Sequence, residues 1–299
     1  MKQDEWIEIS IETTIIVGEL LSTFFEEEGS KGFILGEWDS EASSENTTVK
    51  AYFASDYTDV EGLVQRIKDK LKDYSSFDIN IGLGTIKINN VNEEDWEKGW
   101  KEFFKTFRIG KNIIIKPSWE DYQKNQDEIV INIDPKMSFG SGTHETTQLC
   151  LEEIEILSEQ IKDKDNYKIL DLGTGTGVLA IALGLFGFKN ITAIDIESKA
   201  VETSKLNFKM NDLEFINAYQ GEIKNCDEKY NLIVGNLLAE IIEEISFEIA
   251  NKLEDDGLFI GSGIIKRKEE DVVNALQKQG LTLLDKKYKN DWVVINLKK

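Results

Sequence analysis

The sequence predicts an α/β protein, in which a Rossmann-like, doubly wound and mostly parallel sheet follows a small N-terminal α+β domain. In the second half of the chain, strand-like runs alternate with helix-like segments, a pattern typical of a parallel sheet covered on both faces. Residues 1–90 instead show the order β-α-β-β-α-β of the ferredoxin-like split βαβ arrangement. We therefore predict a ferredoxin-like domain over 1–90, a connector over 91–134 and a larger domain over 135–299.

The N-terminal elements are indicated by residue periodicity and by turn residues. Helices are predicted at 15–28 and 59–74, and strands at 6–13, 32–38, 48–55 and 77–89. The second helix has the clearest signal, because apolar residues recur every three or four positions from Val60 to Leu71 and Asp59 stands at a suitable N-cap position.

An aromatic stripe marks the connector. Segment 92–107 carries Trp and Phe at intervals of three or four residues, which is typical of an amphipathic helix. Such a stripe forms either a buried seam between two domains, the interpretation we favour, or a peptide-binding surface. Strand-like segments at 111–116 and 129–134 then lead into the larger domain.

The larger domain is predicted from regular alternation. Strands are expected at 168–172, 191–196, 215–220, 232–234, 258–261, 281–287 and 292–297. Helices are expected at 177–186, 198–210, 239–253 and 268–278. The last two strands, joined by a short polar turn, should form an antiparallel hairpin at one edge.

Composition disfavours several classes of function. Two distant cysteines and a single histidine provide neither a disulfide framework nor a zinc site, so we expect no metal. The net charge of -21 disfavours a nucleic-acid substrate; it either attracts a basic protein or only keeps the chain in solution.

The longest apolar run, 178–188, is shorter than the roughly 20 residues that cross a bilayer. With no apolar segment near Met1 to act as a signal, we expect a cytoplasmic protein without membrane contact. Separately, we expect a monomer.

A glycine-rich turn between a strand and a helix marks the candidate cofactor site. Residues 169–177 read I-L-D-L-G-T-G-T-G, and glycines let a backbone approach a ligand closely. The third glycine comes one residue earlier than in dinucleotide-binding folds. This D-x-G-x-G-x-G form resembles the cofactor loop of class I methyltransferases. Asp195 ends the next predicted strand, where it can accept hydrogen bonds from both ribose hydroxyls; its alternative role is to cap the following helix. Asp171, just before the glycines, either lines the cofactor site or only braces the loop.

A second polar turn is predicted at the same rim. The run N-L-L-A closes a strand and opens a helix, which would bring Asn236 beside the glycine loop. Methyl transfer from a sulfonium requires a neutral amine whose lone pair points at the methyl carbon. Asn236 Oδ1 and the Leu237 carbonyl can accept the amine's hydrogens without adding a charge that would stabilise the protonated amine. Helix capping is the alternative role for Asn236.

The segment 134–147 reads D-P-K-M-S-F-G-S-G-T-H-E-T-T. It resembles a motif of the PrmA family of ribosomal protein methyltransferases, D-P-G-x-A-F-G-T-G-x-H-x-T-T. The sequence departs from that motif at Lys136, Ser138 and Ser141, and none of these changes removes a proposed contact. Together with the glycine loop, Asp195 and the N-L-L-A run, the resemblance covers the whole larger domain, whereas the N-terminal domain matches in predicted architecture more than in motif.

The resemblance implies an enzyme that uses S-adenosylmethionine to methylate lysine side chains and the N-terminal amine of ribosomal large-subunit protein eleven. That basic substrate would be met free or before it joins the ribosome, recognised by the small domain and modified by the larger one. The family motifs place these residues at the cofactor: Phe139, Thr143, Thr147, Asp171, Gly173, Gly175, Asp195 and Asn236. Thr143 is also expected to cap the following helix, and His144 to shape the region over the cofactor rather than act as a base.

Two other interpretations stay open. The chain is alternatively an N-methyltransferase of another protein, a small-molecule amine, a glutamine or an adenine, since N-P-P-Y-type enzymes use the same rim position. Here, however, Leu237 and Leu238 replace the two prolines, and Ala239 offers no aromatic ring. The second possibility is a non-catalytic module that retains the fold and holds a partner through its small domain.

Overall fold

The computed structural model describes residues 5–14, 17–18, 20–21, 24–25, 28–30, 32–35, 46–55, 57–76, 79–92, 105–133 and 144–299. The chain divides into two compact units, Met1–Lys105 and Thr106–Lys299. Each unit has its own apolar core. Within the described stretches, no helix is both long enough and apolar enough to cross a bilayer.

The first unit contains a four-stranded antiparallel sheet in the order β2-β3-β1-β4. Its strands are β1 (Glu5–Thr14), β2 (Gly32–Leu35), β3 (Asn46–Ala54) and β4 (Thr85–Asn92). Helix α1 (Val60–Ser76) buries Leu63, Ile67 and Leu71 against apolar side chains of the sheet, because residues four apart share one helix face. The first predicted helix, 15–28, is described only in part, so the ferredoxin-like assignment stays a prediction.

The last strand of this unit lies further along the chain than expected. The sequence predicted a strand at 77–89, whereas β4 begins at Thr85. Gly82 and Gly84 have φ of 63° and 62°, so the chain turns there and cannot be extended until after the second glycine.

The second unit begins with a small sheet of three strands in the order β5-β6-β7. These are β5 (Phe107–Ile109), β6 (Ile113–Lys116) and β7 (Ile129–Asn132), with β5 antiparallel and β7 parallel to β6. The aromatic helix predicted at 92–107 falls mostly outside the described residues. Its last predicted residue, Phe107, pairs with Ile115 in the sheet and is therefore not helical.

A seven-stranded sheet forms the centre of this unit, in the order β10-β9-β8-β11-β12-β14-β13. The strands are β8 (Lys168–Leu172), β9 (Asn190–Asp195), β10 (Asn217–Gln220), β11 (Tyr230–Asn236), β12 (Leu253–Ile265), β13 (Thr282–Lys289) and β14 (Trp292–Lys298). The first five strands in the sheet order are parallel, and β13 and β14 form an antiparallel hairpin. The predicted fold class, a doubly wound and mostly parallel sheet, is confirmed.

Six helices accompany this sheet in the described part of the second unit: α2 (Glu145–Gln160), α3 (Val178–Leu185), α4 (Ser198–Met210), α5 (Ala239–Glu244), α6 (Ser246–Lys252) and α7 (Glu269–Lys278). The single helix predicted at 239–253 is wrong in one respect, because Ile245, with ψ of 14°, leaves the helical region and separates α5 from α6. Strand β12 starts at Leu253 and is 13 residues long, far longer than the predicted 258–261.

The strand order reverses direction at the centre of the sheet. The chain moves from β8 outward through β9 to β10, then returns to add β11 on the other side of β8. In open sheets of this kind, ligands bind beyond the carboxyl ends of the strands at such a switch point. The candidate site therefore lies where β8 and β11 end, at Leu172 and Asn236.

Candidate functional site

The glycine turn follows β8 and leads into α3. Gly173, Gly175 and Gly177 have φ of 72°, 54° and 84°, all in the left-handed region that favours glycine. The amides of Gly173 and Thr174 both donate to the Ile194 carbonyl at 2.9 Å, which ties the turn to β9. The result is a backbone turn that is held by β9 and carries no side chain at its three glycine positions.

Asp171 supports this turn from below. Its carboxylate is almost fully buried, and Oδ2 accepts hydrogen bonds from Thr174 Oγ1 at 2.7 Å and from the Ala180 amide at 3.3 Å. Oδ1 is buried without a hydrogen-bond partner among the described residues. Burial raises the pKa of Asp171 to about 7, with a smaller upward contribution from the charge of Asp195. These contacts give Asp171 a bracing role in the loop.

Asp195 lies at the end of β9, facing the glycine turn. Its Oδ2 accepts a hydrogen bond from the Gly175 amide at 3.0 Å, and its Oδ1 accepts one from the Glu197 amide at 3.0 Å. The N-cap of α4 is Glu197, so Asp195 is not the capping residue of that helix. Because each carboxylate oxygen carries two lone pairs, both can accept a further hydrogen bond.

Asn236 ends β11 and contacts the first turn of α2. Its Nδ2 donates a hydrogen bond to Thr147 Oγ1 at 3.0 Å. Its Oδ1 is buried and has no hydrogen-bond partner in the described part of the chain. The N-cap of α5 is Leu238, so Asn236 does not cap that helix. Buried polar atoms are nearly always hydrogen-bonded, so an acceptor without a partner is costly, and Asn236 Oδ1 therefore fits a group that binds a ligand.

Leu237 lies between two glycines. A Cβ on Gly173 would lie 2.5 Å from Leu237 Cδ2, so a larger residue there would force the Leu237 side chain to move, and the φ of 72° itself favours glycine. On the other side, the Leu237 amide donates to the Ser262 carbonyl at 2.9 Å, and Gly263 approaches the Leu237 backbone. Sequence reasoning missed Ser262 and Gly263. The signal that was available is a glycine within a strand, which often marks a bulge or a close backbone approach.

The start of α2 is capped differently from the prediction. The N-cap is His144, whose Nδ1 accepts from the Thr146 amide at 3.3 Å, and Thr143 is therefore not the capping residue. The prediction failed because an imidazole nitrogen can also accept from a helix N-terminus.

The His144 ring packs edge-on against Trp292 with centroids 5.0 Å apart. Burial lowers the pKa of His144, and the nearby Glu145 carboxylate has the opposite, smaller effect on that pKa. Phe139 and Thr143 lie outside the described residues.

Two buried asparagines, Asn207 and Asn211, were also missed. Asn207 Nδ2 donates to the Thr176 carbonyl in the glycine turn at 2.8 Å. At the C-cap of α4, one turn later, Asn211 Nδ2 donates to the Asn132 carbonyl at 2.7 Å, and its Oδ1 accepts from the Asn132 amide at 2.8 Å. These residues connect β7 to the glycine turn. The available signal was Asn207 within the predicted helix at 198–210, because asparagine is a poor helix former, with a second asparagine just after the end of that helix.

The predicted residues that the structure describes form one connected cluster. The Gly175 amide joins Asp195, the Leu237 side chain packs on Gly173, and Asn236 bonds Thr147. The cluster combines a glycine turn without side chains at three positions, a carboxylate whose two oxygens can each accept a further hydrogen bond, and an amide oxygen without a partner among the described residues. These features fit a nucleoside cofactor that carries a methyl donor.

This fold and this cluster define an S-adenosylmethionine-dependent methyltransferase. The family of ribosomal protein L11 methyltransferases (PrmA) matches residues 5–299 of the chain. The chain belongs to that family, and the resemblance seen in its motifs is confirmed.

Individual relatives agree with this assignment. The chain is 38% identical over 262 residues to a ribosomal protein L11 methyltransferase of Ruminiclostridium cellulolyticum, a match that covers 86% of this chain and 81% of the relative. It is 34% identical to that of Thermoanaerobacter pseudethanolicus, covering 97% and 98% of the two chains. A crystal structure of a ribosomal protein L11 methylase from Lactobacillus delbrueckii subsp. bulgaricus superimposes with a TM-score of 0.58 at 29% identity, over 65% of this chain and 97% of that one.

Proposed function

We propose that this chain methylates amino groups of ribosomal protein L11, both on lysine side chains and at the N-terminal α-amine. The observation that carries the proposal is Asn236 Oδ1, which is buried and has no hydrogen-bond partner among the described residues. It lies at the end of β11, at the same edge of the sheet as Asp195 and the glycine turn. The names of the relatives support the substrate. Those names also favour an enzyme over a non-catalytic module, because the relatives are methyltransferases.

The residues for cofactor binding are those of the cluster. Gly173 and Gly175 allow the cofactor to lie against the turn, Asp195 accepts the ribose hydroxyls, and Thr147 lines the side next to Asn236. We extend the same role to Phe139 and Thr143 from their motif positions. When bound, S-adenosylmethionine supplies an electrophilic methyl group. Asp171 acts through the turn and does not need to touch the cofactor.

The acceptor amine is oriented by two oxygens. Asn236 Oδ1 and the Leu237 carbonyl each accept one N–H of a neutral amine, which leaves the nitrogen lone pair pointing at the methyl carbon. With S-adenosylmethionine bound, the amine would take the methyl group as the S–C bond breaks, the thioether would leave, and the ammonium formed would lose its proton to water. Neither oxygen carries a full charge, so the pair does not stabilise the protonated, unreactive amine.

The choice of a basic protein fits the charge of the chain. With 56 acidic against 35 basic side chains, the electrostatic field of the chain attracts a cationic partner and repels nucleic acid.

We assign recognition of L11 to the domain at 1–90 and the methyl transfer to the domain at 135–299; the connector at 91–134 joins the two. The enzyme acts as a cytoplasmic monomer on L11 before its assembly into the ribosome. At the rim, Leu237, Leu238 and Ala239 offer no ring on which a flat base or amide could stack.

The test is incubation of the chain with radiolabelled S-adenosylmethionine and an extract of unmethylated ribosomal proteins. We expect label in one small basic protein, and loss of that label with Asn236→Ala. Asn217→Ala, at the exposed start of β10, is the matched control and should label normally. Label in nucleic acid or in free metabolites, or full labelling by Asn236→Ala, would contradict the proposal.

A further inference from the structure

An irregularity in β12 lies against the turn that ends β11. The pairing of β12 with β14 shifts register between Gly261 and Ile264. Ser262 and Gly263 together face the single residue Val294, and this two-against-one arrangement is a β-bulge. Bulges of this kind occur frequently beside active sites, where they redirect nearby groups. No part of the proposed cofactor site accounts for this one.

The bulge fixes both backbone groups of Leu237. Ser262 contributes its carbonyl, which accepts the Leu237 amide at 2.9 Å. Gly263 has φ of 86°, and a Cβ built on it would lie 2.2 Å from the Leu237 carbonyl oxygen and 2.9 Å from the Leu237 nitrogen. Those distances are far inside van der Waals contact. The Leu237 carbonyl can therefore hold its present direction only while residue 263 has no side chain.

The bulge is itself anchored on its far side. Ser262 Oγ is fully buried and donates to the Val293 carbonyl at 3.0 Å, which attaches the bulge to β14. The position of the Leu237 carbonyl is thus set by β12 and β14, independently of any bound amine. Such preorganisation is what an orienting group needs, because a misplacement of about 1 Å can cost roughly 100-fold in rate.

We propose that the Ser262–Gly263 bulge aims the Leu237 carbonyl at the acceptor amine, so that Gly263 is a positioning residue for methyl transfer. The inference rests on the proposed function, in which Leu237 and Asn236 orient that amine. Gly263 does not contact the amine or the cofactor in this scheme, and it acts only by admitting the Leu237 carbonyl.

Gly263→Ala tests the inference, with Gly280→Ala as its matched control. Gly280 also has a positive φ, 93°, but a Cβ there meets nothing within 4 Å. Both variants carry the same kind of backbone strain, and only one carries the clash. We expect kcat to fall about 30- to 100-fold in Gly263→Ala, with kcat/KM falling in parallel, and to stay within about twofold in Gly280→Ala. Calorimetric affinity for S-adenosylhomocysteine should be retained in both.

Ser262→Ala keeps the test decisive if Gly263→Ala does not fold. It removes only the hydroxyl that anchors the bulge to β14, and we expect kcat to fall roughly three- to tenfold with cofactor affinity unchanged. Full kcat in folded Gly263→Ala, or in Ser262→Ala where the former cannot be purified, would overturn the inference. So would a parallel loss of cofactor affinity, which indicates a general structural defect.

The same experiment separates this inference from the proposed function. If Asn236→Ala is inactive while folded Gly263→Ala keeps full kcat, only the role of the bulge is wrong. If Asn236→Ala retains full turnover, the amine does not bind at this turn, and both the proposed function and the role of Gly263 are wrong.

Discussion

Thr147 Oγ1 accepts a hydrogen bond from Asn236 Nδ2 at 3.0 Å and so joins the first turn of α2 to the end of β11. The bond fixes which end of the Asn236 amide faces the site. Because Nδ2 is engaged by Thr147, Oδ1 is the atom that remains available, buried and without a partner among the described residues. The orientation of one side chain thus depends on a residue 89 positions away in the sequence.

The variant Thr147→Val tests how much that hydrogen bond contributes to kcat. Valine keeps the shape of this buried residue but removes the acceptor, so the Asn236 amide can rotate and present its Nδ2 to the amine. We expect kcat to fall about tenfold, since one hydrogen bond is worth about 1 kcal/mol and orientation is lost with it. Thr147→Ser keeps the hydroxyl and should lose much less. Equal rates for the two variants in the labelled-cofactor assay would argue against this role.

Asp195→Ala is expected to abolish cofactor binding while the fold remains intact. Both carboxylate oxygens lie at the end of β9 and hold the Gly175 and Glu197 amides, so the change also loosens the glycine turn. Isothermal calorimetry with S-adenosylhomocysteine measures the loss. Asp165→Ala, an exposed aspartate away from the site, serves as the control and should bind normally. Unchanged affinity in Asp195→Ala would refute the ribose role.

Asp171 predicts a dependence of stability on pH. Its pKa is raised from 3.8 to about 7 in the folded chain, chiefly by burial. An acid that ionises less readily when folded destabilises the fold as pH rises from the unfolded to the folded pKa. In Asp171→Asn this penalty is absent. We therefore expect the unfolding free energy of the variant, relative to the wild type, to increase between about pH 4 and pH 7 and then level off. Urea denaturation across this range checks the sign, and a flat difference would contradict it.

For His144 we expect stability to depend on pH in the opposite direction from Asp171. Its pKa lies below 6.5 because it is buried, despite the nearby Glu145 carboxylate. A protonated imidazole cannot accept the Thr146 amide, so the cap is lost on protonation. The contribution of His144 to stability is thus present above about pH 6.5 and lost as pH falls through the folded pKa. Since the sequence has one histidine, its single imidazole NMR signal gives this pKa directly. A value of 6.5 or higher would contradict the prediction.

The sequence predicted those parts of the site that local patterns determine. The glycine turn, Asp195 and Asn236 each follow an apolar strand-like run, and parallel strands bring their carboxyl ends to one edge. Their mutual contacts follow from that topology, and the structure brings Gly175, Asp195, Thr147 and Asn236 together.

Features that depend on pairing with distant strands could not be predicted in the same way. The bulge at Ser262 and Gly263 exists only because β14 shifts register against β12, and the length of β12 depends on pairing between Leu253 and Tyr230. The break at Ile245 interrupts a segment whose residues all read as helical. The use of His144 as the cap depends on burial against Trp292, which is far away in the sequence.

The two glycines on either side of Leu237 limit how this enzyme can be redesigned. Gly173 belongs to the turn after β8 and Gly263 to β12, and Leu237 lies between them. An attempt to widen the opening for a bulkier amine by enlarging or shifting any one of the three would displace the other two. Directed evolution toward new acceptors should therefore proceed by paired substitutions across these elements, and single changes here should appear mainly as inactive clones.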